Sequence, residues 1–297
     1  MFVLSTRGVS VRPNDADLVD GVCRSVECGG GEPELQAGVI VGSVLLTLGL
    51  VATFRYVAQA QSLVAEERER TADERDAFTA FERKVSGIEA TQSVPTGGSV
   101  VTMANGPSDR QLQQVRDAYR ETVMSVPHYE AEYDEAIEVN MTAELGEEVA
   151  TAVLDGTRFT RQIKHGLISQ CNEAQRRRRE LLAALKREER RLTSANEEFH
   201  GVEDALEAGM PESVRDCSFP ELSNRWQQLG DVESRCRDLL EEYAASRGGT
   251  RGKRSEFREY VYQSLPTEHP VLSDGTRLLD RITDCRRTVM RALTRRA

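Results

Sequence analysis

The chain has 297 residues and a formal net charge of −10, with 30% charged and 5% aromatic side chains. High charge with few aromatics favours elongated helices over a large globular core. The acidic balance argues against a dedicated nucleic-acid binder, which needs a basic surface to neutralise phosphate.

Residues 1–34 lack hydrophobic periodicity and end near a Gly29-Gly30-Gly31 run, so they read as a disordered tail. Cys23 and Cys28 in this tail are close enough in sequence for a disulfide, provided the tail lies outside the cell. Residues 35–54 contain no charge, with Glu34 before them and Arg55 after. Twenty residues of helix rise roughly 30 Å, the thickness of a bilayer's hydrocarbon core. A transmembrane helix over 35–56 is the expectation, and Gly38 and Gly42 give it a Gly-x-x-x-Gly pair. Arg55, Arg68, Arg70 and Arg75 follow the run, while only Arg24 lies within the twenty residues before it. The positive-inside rule then puts the amino terminus outside and the carboxyl region in the cytoplasm of a single-pass cell-membrane protein.

A three-four spacing continues through Val57, Ala60, Val64, Glu67, Thr71, Glu74, Phe78, Phe81, Val85 and Ile88. It predicts a membrane-proximal helix over 57–89, unbroken from the membrane span and polar in its middle. Residues 90–107 hold two prolines and three glycines and read as a linker. The cytoplasmic helical domain then occupies 108–297. Ser108 is a candidate N-cap for a helix over 109–126, with Leu112, Val115, Tyr119 and Val123 on one face. Two shorter helices follow near 129–144 and 146–155.

The strongest periodicity starts at Leu167 and passes through positions 171, 174, 178, 181, 185, 188, 192, 195, 199, 202 and 206. Ten of these twelve positions are apolar, and Arg178 and Glu188 are the exceptions. This heptad seam predicts one long helix from about 160 to 207. Its expected neighbour is residues 219–246, where Leu222, Trp226, Leu229, Cys236, Leu240 and Tyr243 repeat the spacing and Ser218 offers a cap. Together they make a coiled-coil hairpin over about 160–246, in which Leu181, Leu185, Leu192 and Phe199 are buried. The same residues would serve a homodimer. The sequence Arg247 to Arg254 reads as a basic loop, and a final helix over about 271–295 carries Leu278, Leu279, Ile282, Cys285, Val289 and Leu293.

Little in the chain points to chemistry. His128, His165, His200 and His269 lack a partner at metal-ligand spacing, and no phosphate-binding loop or nucleophile elbow is present. Catalytic, cofactor and metal residues are therefore not assigned: none is expected, and neither is catalysis. The segment His128 to Glu135, HYEAEYDE, is dense in acids and phenols without an evident structural reason.

Three segments, EERERTADERDAFTAFERKV, VPHYEAEYDEAIEVNMTAELGEEVATAVLDGTRFT and YVYQSLPTEHPVL, resemble an uncharacterised haloarchaeal family. The resemblance covers roughly residues 35–295. It implies a single-pass membrane protein with a helical cytoplasmic region and no assigned activity. The reading is an all-α protein: a transmembrane helix followed by a helical bundle. It acts as a membrane-anchored interaction scaffold, with the bilayer as one partner and an unknown protein as another. The alternative is a sensor that transmits a signal along its coiled coil.

Overall fold

The computed structural model describes residues 54–91, 107–211, 213–245 and 251–296. The expected span over 35–53 and the tail with Cys23 and Cys28 lie outside them, as does most of the expected linker. Among the described residues no helix is long and apolar enough to cross a membrane.

All regular structure in these residues is helical. In chain order the elements are α1 (Arg55–Gly87), α2 (Pro107–Arg120), a 3-10 turn (Val123–Ser125), α3 (Tyr129–Glu132), α4 (Ile137–Leu145) and α5 (Glu147–Leu154). Then come α6 (Arg161–Gly209), α7 (Phe219–Ala245), α8 (Arg251–Val261) and α9 (Pro270–Thr294). α2 begins at Pro107, so Ser108 sits in its first turn and is not the cap. The expected helix over 129–144 is split, because Asp134 takes a positive φ of 42° after α3. Gly146, at φ 86° and ψ 153°, separates α4 from α5 in a backbone conformation that suits only glycine. The expected basic loop is in part helix, since α8 starts at Arg251.

The sequence reading gives α7 as the cover for the long seam. The structure corrects this: α1 is the principal partner of α6, and the two run antiparallel along most of their length. Arg68 meets Glu189 at 2.5 Å, Arg178 meets Glu74 at 2.9 Å, and Gln175 donates to Glu82 at 2.7 Å. α7 covers only the second half of α6. There the Arg225 guanidinium reaches the Ala208 carbonyl and Tyr243 donates to Glu198. α9 packs against α7, where Arg286 stacks 4.4 Å from the Trp226 ring and pairs with buried Glu233 at 2.5 Å. The apolar pattern marks which face of a helix is buried, not which helix covers it.

Two separate apolar cores result. One joins Val57, Ala60 and Val64 of α1 to Leu185, Leu192, Phe199 and Leu206 of α6, with Leu229 and Ile282 from α7 and α9. The other joins Phe78, Phe81 and Val85 to Leu167, Cys171 and Ala174, with Leu112, Tyr119, Met141 and Val153 from α2, α4 and α5. Of the four seam residues singled out, Leu185, Leu192 and Phe199 are fully buried and Leu181 is half-buried.

Both ends of α1 are capped by residues far away in the chain. At the C-terminal end, Lys164 Nζ donates to the Ser86 and Ile88 carbonyls at 2.7 and 2.8 Å, a cation where the helix dipole is negative. At the N-terminal end, the Val57 amide donates to Asp274 Oδ2 of α9 at 2.8 Å. In an unbroken helix that amide would bond the carbonyl four residues earlier. Phe54 instead has φ −110° and ψ 40°. The expectation of one continuous helix from the membrane span into α1 is corrected at this point.

Two outcomes test this packing. Leu185→Asp puts an unpaired charge into the first core and is expected to cost about 3–5 kcal/mol in thermal or urea unfolding; an unchanged midpoint contradicts the burial. Asp274→Ala leaves the α1 amide without its acceptor and is expected to cost about 1–2 kcal/mol, with Asp274→Asn retaining part of that, as for other lost helix caps.

Candidate functional site

Between the two cores, the α1–α6 interface turns polar. The α1 stripe carries Glu67, Thr71 and Glu74 there, and the α6 seam carries Arg178 and Glu188, its two exceptions. Buried charge is costly unless paired and hydrogen-bonded. Thr71 bonds back to the Glu67 carbonyl within α1, and each of the four charged groups gains a partner from outside the pair.

Arg178 is the centre. Its Nε donates to Glu74 Oε2 at 2.9 Å, while its two terminal nitrogens donate to both Glu144 oxygens at 2.8 and 3.1 Å, a bidentate fork from α6 to α4. Its guanidinium lies 4.5 Å from the Phe78 ring centre, so one face rests on the second core. Glu74 Oε1 takes the other side, accepting the Tyr133 hydroxyl at 2.8 Å and lying 3.2 Å from His128 Nε2. Side-chain exposure is 11% for Arg178, 17% for Glu74 and 10% for His128. Beneath them, Tyr119 donates to buried Asn140 at 2.7 Å, and Tyr129 donates to the Glu135 carbonyl at 3.1 Å.

The HYEAEYDE segment thereby acquires a structural role. α3 is a single turn, closed by the amides of Tyr133 and Asp134, both donating to the Tyr129 carbonyl. Asp tolerates the positive φ that this closure needs better than most residues. The turn brings His128 and Tyr133 to the same carboxylate, and Glu132 pairs with Arg70 at 2.6 Å. A second bridge lies further along the interface. There Tyr260 donates to Glu67 at 2.6 Å, and Tyr262 donates to Glu188 at 2.7 Å. These tyrosines tie α8 and the turn after it to α1 and α6.

The electrostatics follow from this arrangement. Burial alone would raise Glu74. The hydrogen bond from His128, the Arg178 charge and the Tyr133 hydroxyl outweigh it and hold the carboxyl below its ordinary range. The Glu74 hydrogen bond raises His128 against its own burial. Arg178 faces both Glu74 and Glu144, and Arg177 lies 3.9 Å from Glu144 on its other side. Burial, then the Glu74 charge, pushes the Tyr133 hydroxyl far above neutral, so it stays a donor. The cavity enclosed by Glu74, Tyr129, Tyr133, Asn140, Glu144 and Arg178 has a volume of about 10 Å³, enough for one water. Among the described residues no group of three or more His, Cys, Asp or Glu is placed to hold a metal ion. The arrangement is suited to fastening helices together and to holding one titratable proton.

Residues 55–286 match a family described as Domain of unknown function (DUF7260). The chain belongs to that family. The comparisons with curated proteins and with solved structures give no match. The DUF7260 domain begins at the residue where α1 begins, and it contains the whole Arg178 network. Of that network the sequence marks the 128–135 segment and, as an exception in the apolar seam, Arg178, without joining the two. The available signal for the rest was an arginine at an apolar heptad position, opposite a polar break in the α1 stripe.

The His128 and Glu74 shifts set a pH window. A raised histidine stabilises the fold fully below its ordinary value near 6.5, and that contribution is lost as pH climbs through the higher folded value. A lowered Glu74 contributes above about 4.5 and is lost as pH falls through its depressed folded value. The wild-type melting temperature is therefore expected to fall from pH 6 to pH 8, and His128→Gln to flatten that slope. Equal slopes contradict the network. Arg178→Ala deprives both Glu74 and Glu144 of their shared arginine, and a loss of about 3–5 kcal/mol in urea unfolding is expected.

Proposed function

We propose that this protein is a membrane-anchored helical interaction protein, a scaffold without a catalytic step. Its DUF7260 bundle is held at the cytoplasmic face of the cell membrane by a single pass, amino terminus outside. The observation that carries the reading is the position of the uncharged run, residues 35–54, which ends immediately before the domain's first helix. The haloarchaeal kinship is part of the same proposal, as is an unknown partner protein.

The buried chemistry supports a scaffold. The polar groups of the Arg178 network are bonded to one another around a one-water cavity, the arrangement of a fastening between helices. A sensor that passes an axial shift through the membrane would be served by a continuous helix. The backbone at Phe54 and the Asp274 cap favour the scaffold over that alternative.

Centrifugation tests the anchor. The intact chain is expected to sediment with native membranes, resist alkaline carbonate and dissolve in detergent. A chain that stays in the supernatant without detergent contradicts it. Deleting residues 1–30 separates the two functions: a scaffold keeps its set of crosslinked neighbours, whereas a sensor loses its response.

A further inference from the structure

The segment Pro127 to Glu135 lies between two anchored points. Val123 in the 3-10 turn before it and Ile137 at the start of α4 both belong to the second apolar core. Val126 and Tyr129 between them are buried but belong to neither core. With Tyr133 they line the cavity beside Glu74, Glu144 and Arg178. The segment thus covers a polar cavity, whereas the residues on either side of it are fixed in apolar packing. Its bonds divide in the same way. Within the segment, Tyr129 donates to the Glu135 carbonyl, and the Tyr129 and Tyr133 rings lie 5.6 Å apart. The amide of Glu132 bonds back to His128, and those of Tyr133 and Asp134 bond back to Tyr129. All of these survive if the segment moves as one body. Among the described residues, the side-chain bonds that leave it end on α1: His128 and Tyr133 on Glu74, and Glu132 on Arg70.

The charges around His128 decide how a proton acts there. α1 presents Glu74 and Arg70, and Glu67 of the same helix acts on both Glu132 and Tyr260. Behind Glu74 stand Arg178 and Arg177 of α6, with Glu144 of α4 between them. The segment itself carries Glu130, Glu132, Asp134 and Glu135, and the Glu132 charge adds to the pull on the His128 proton. A protonated His128 gives Glu74 a cation from this acidic segment. A neutral His128 leaves Glu74 with a weaker, uncharged hydrogen bond.

We propose that residues 127–135 are a strap that opens as a unit over the Arg178 cavity, with the proton on His128 as its latch. Opening bares Glu74, Arg178 and Glu144 to water, while α1 and α6 stay packed through the two apolar cores. The closed strap holds the His128 proton more tightly than the open one. Closure is therefore favoured at low pH, and that contribution is lost as pH climbs through the raised histidine value. The strap is independent of the membrane anchor, since every group in it lies within the family match.

The test is amide hydrogen exchange on the full chain, corrected for the intrinsic rate at each pH. At pH 6 the amides of Glu132, Tyr133 and Asp134 are expected to be at least about thirtyfold less protected than those inside α4 and α6. Low urea that speeds exchange in α4 should leave them unchanged, because opening the strap exposes little surface. From pH 6 to pH 8 their protection should fall at least about fivefold, and His128→Gln should remove that fall. Tyr133→Phe, which keeps His128, should lower their protection about tenfold at both pH values and retain the fall. Strap amides that share the protection and urea response of α4 overturn the proposal, since the segment then opens only with the whole bundle. A fall with pH that persists in His128→Gln assigns the latch to another group and overturns it too. A His128→Gln chain unprotected at both pH values is decided by Tyr133→Phe: loss of the fall there contradicts the latch.

Discussion

The antiparallel contact between α1 and α6 is the constraint on which the other elements depend. α1 supplies one wall of both apolar cores, and α6 supplies another. α7 and α9 complete the first core, while α2, α4 and α5 complete the second. A helix of 33 residues lying against one of 49 would slide along an apolar seam if every position were equivalent. The polar middle prevents this. Glu74 meets Arg178 only in one register, and an error of one turn would separate the two charges and pull apart the bonds that converge on them from α3 and α4. Retaining polar groups to fix register is a known use of buried ion pairs, and Arg178 has the geometry for it here.

The caps on α1 serve the same end. Lys164 and Asp274 reach it from α6 and α9, so the limits of the helix are set by tertiary contacts. Both charges also match the sign of the helix end they touch. A segment that reads as a stalk between membrane and domain is thereby an integral part of the domain. The family match starting at Arg55 agrees with this.

Much of this was legible in the sequence, but unevenly. The helical class, the seam from Leu167 to Leu206 and the buried stripe from Val57 to Val85 all follow from spacing alone. The partner of the seam does not, because an amphipathic pattern shows a face and is silent about what covers it. The expected α6–α7 pairing came from chain proximity. In fact α1, separated from α6 by more than seventy residues, takes the larger share. The HYEAEYDE segment showed its composition but not its purpose, since its target carboxylate, Glu74, lies 54 residues earlier than His128. Asp274 gave no signal, because a cap supplied across the fold has no local pattern.

Hydrogen exchange on the intact chain tests the α1–α6 contact most directly. If α1 is a wall of both cores, amides within 57–85 and within 167–206 exchange at the same slow rate and are released together as denaturant rises. An α1 that exchanges much faster than α6, as a peripheral stalk would, contradicts the account.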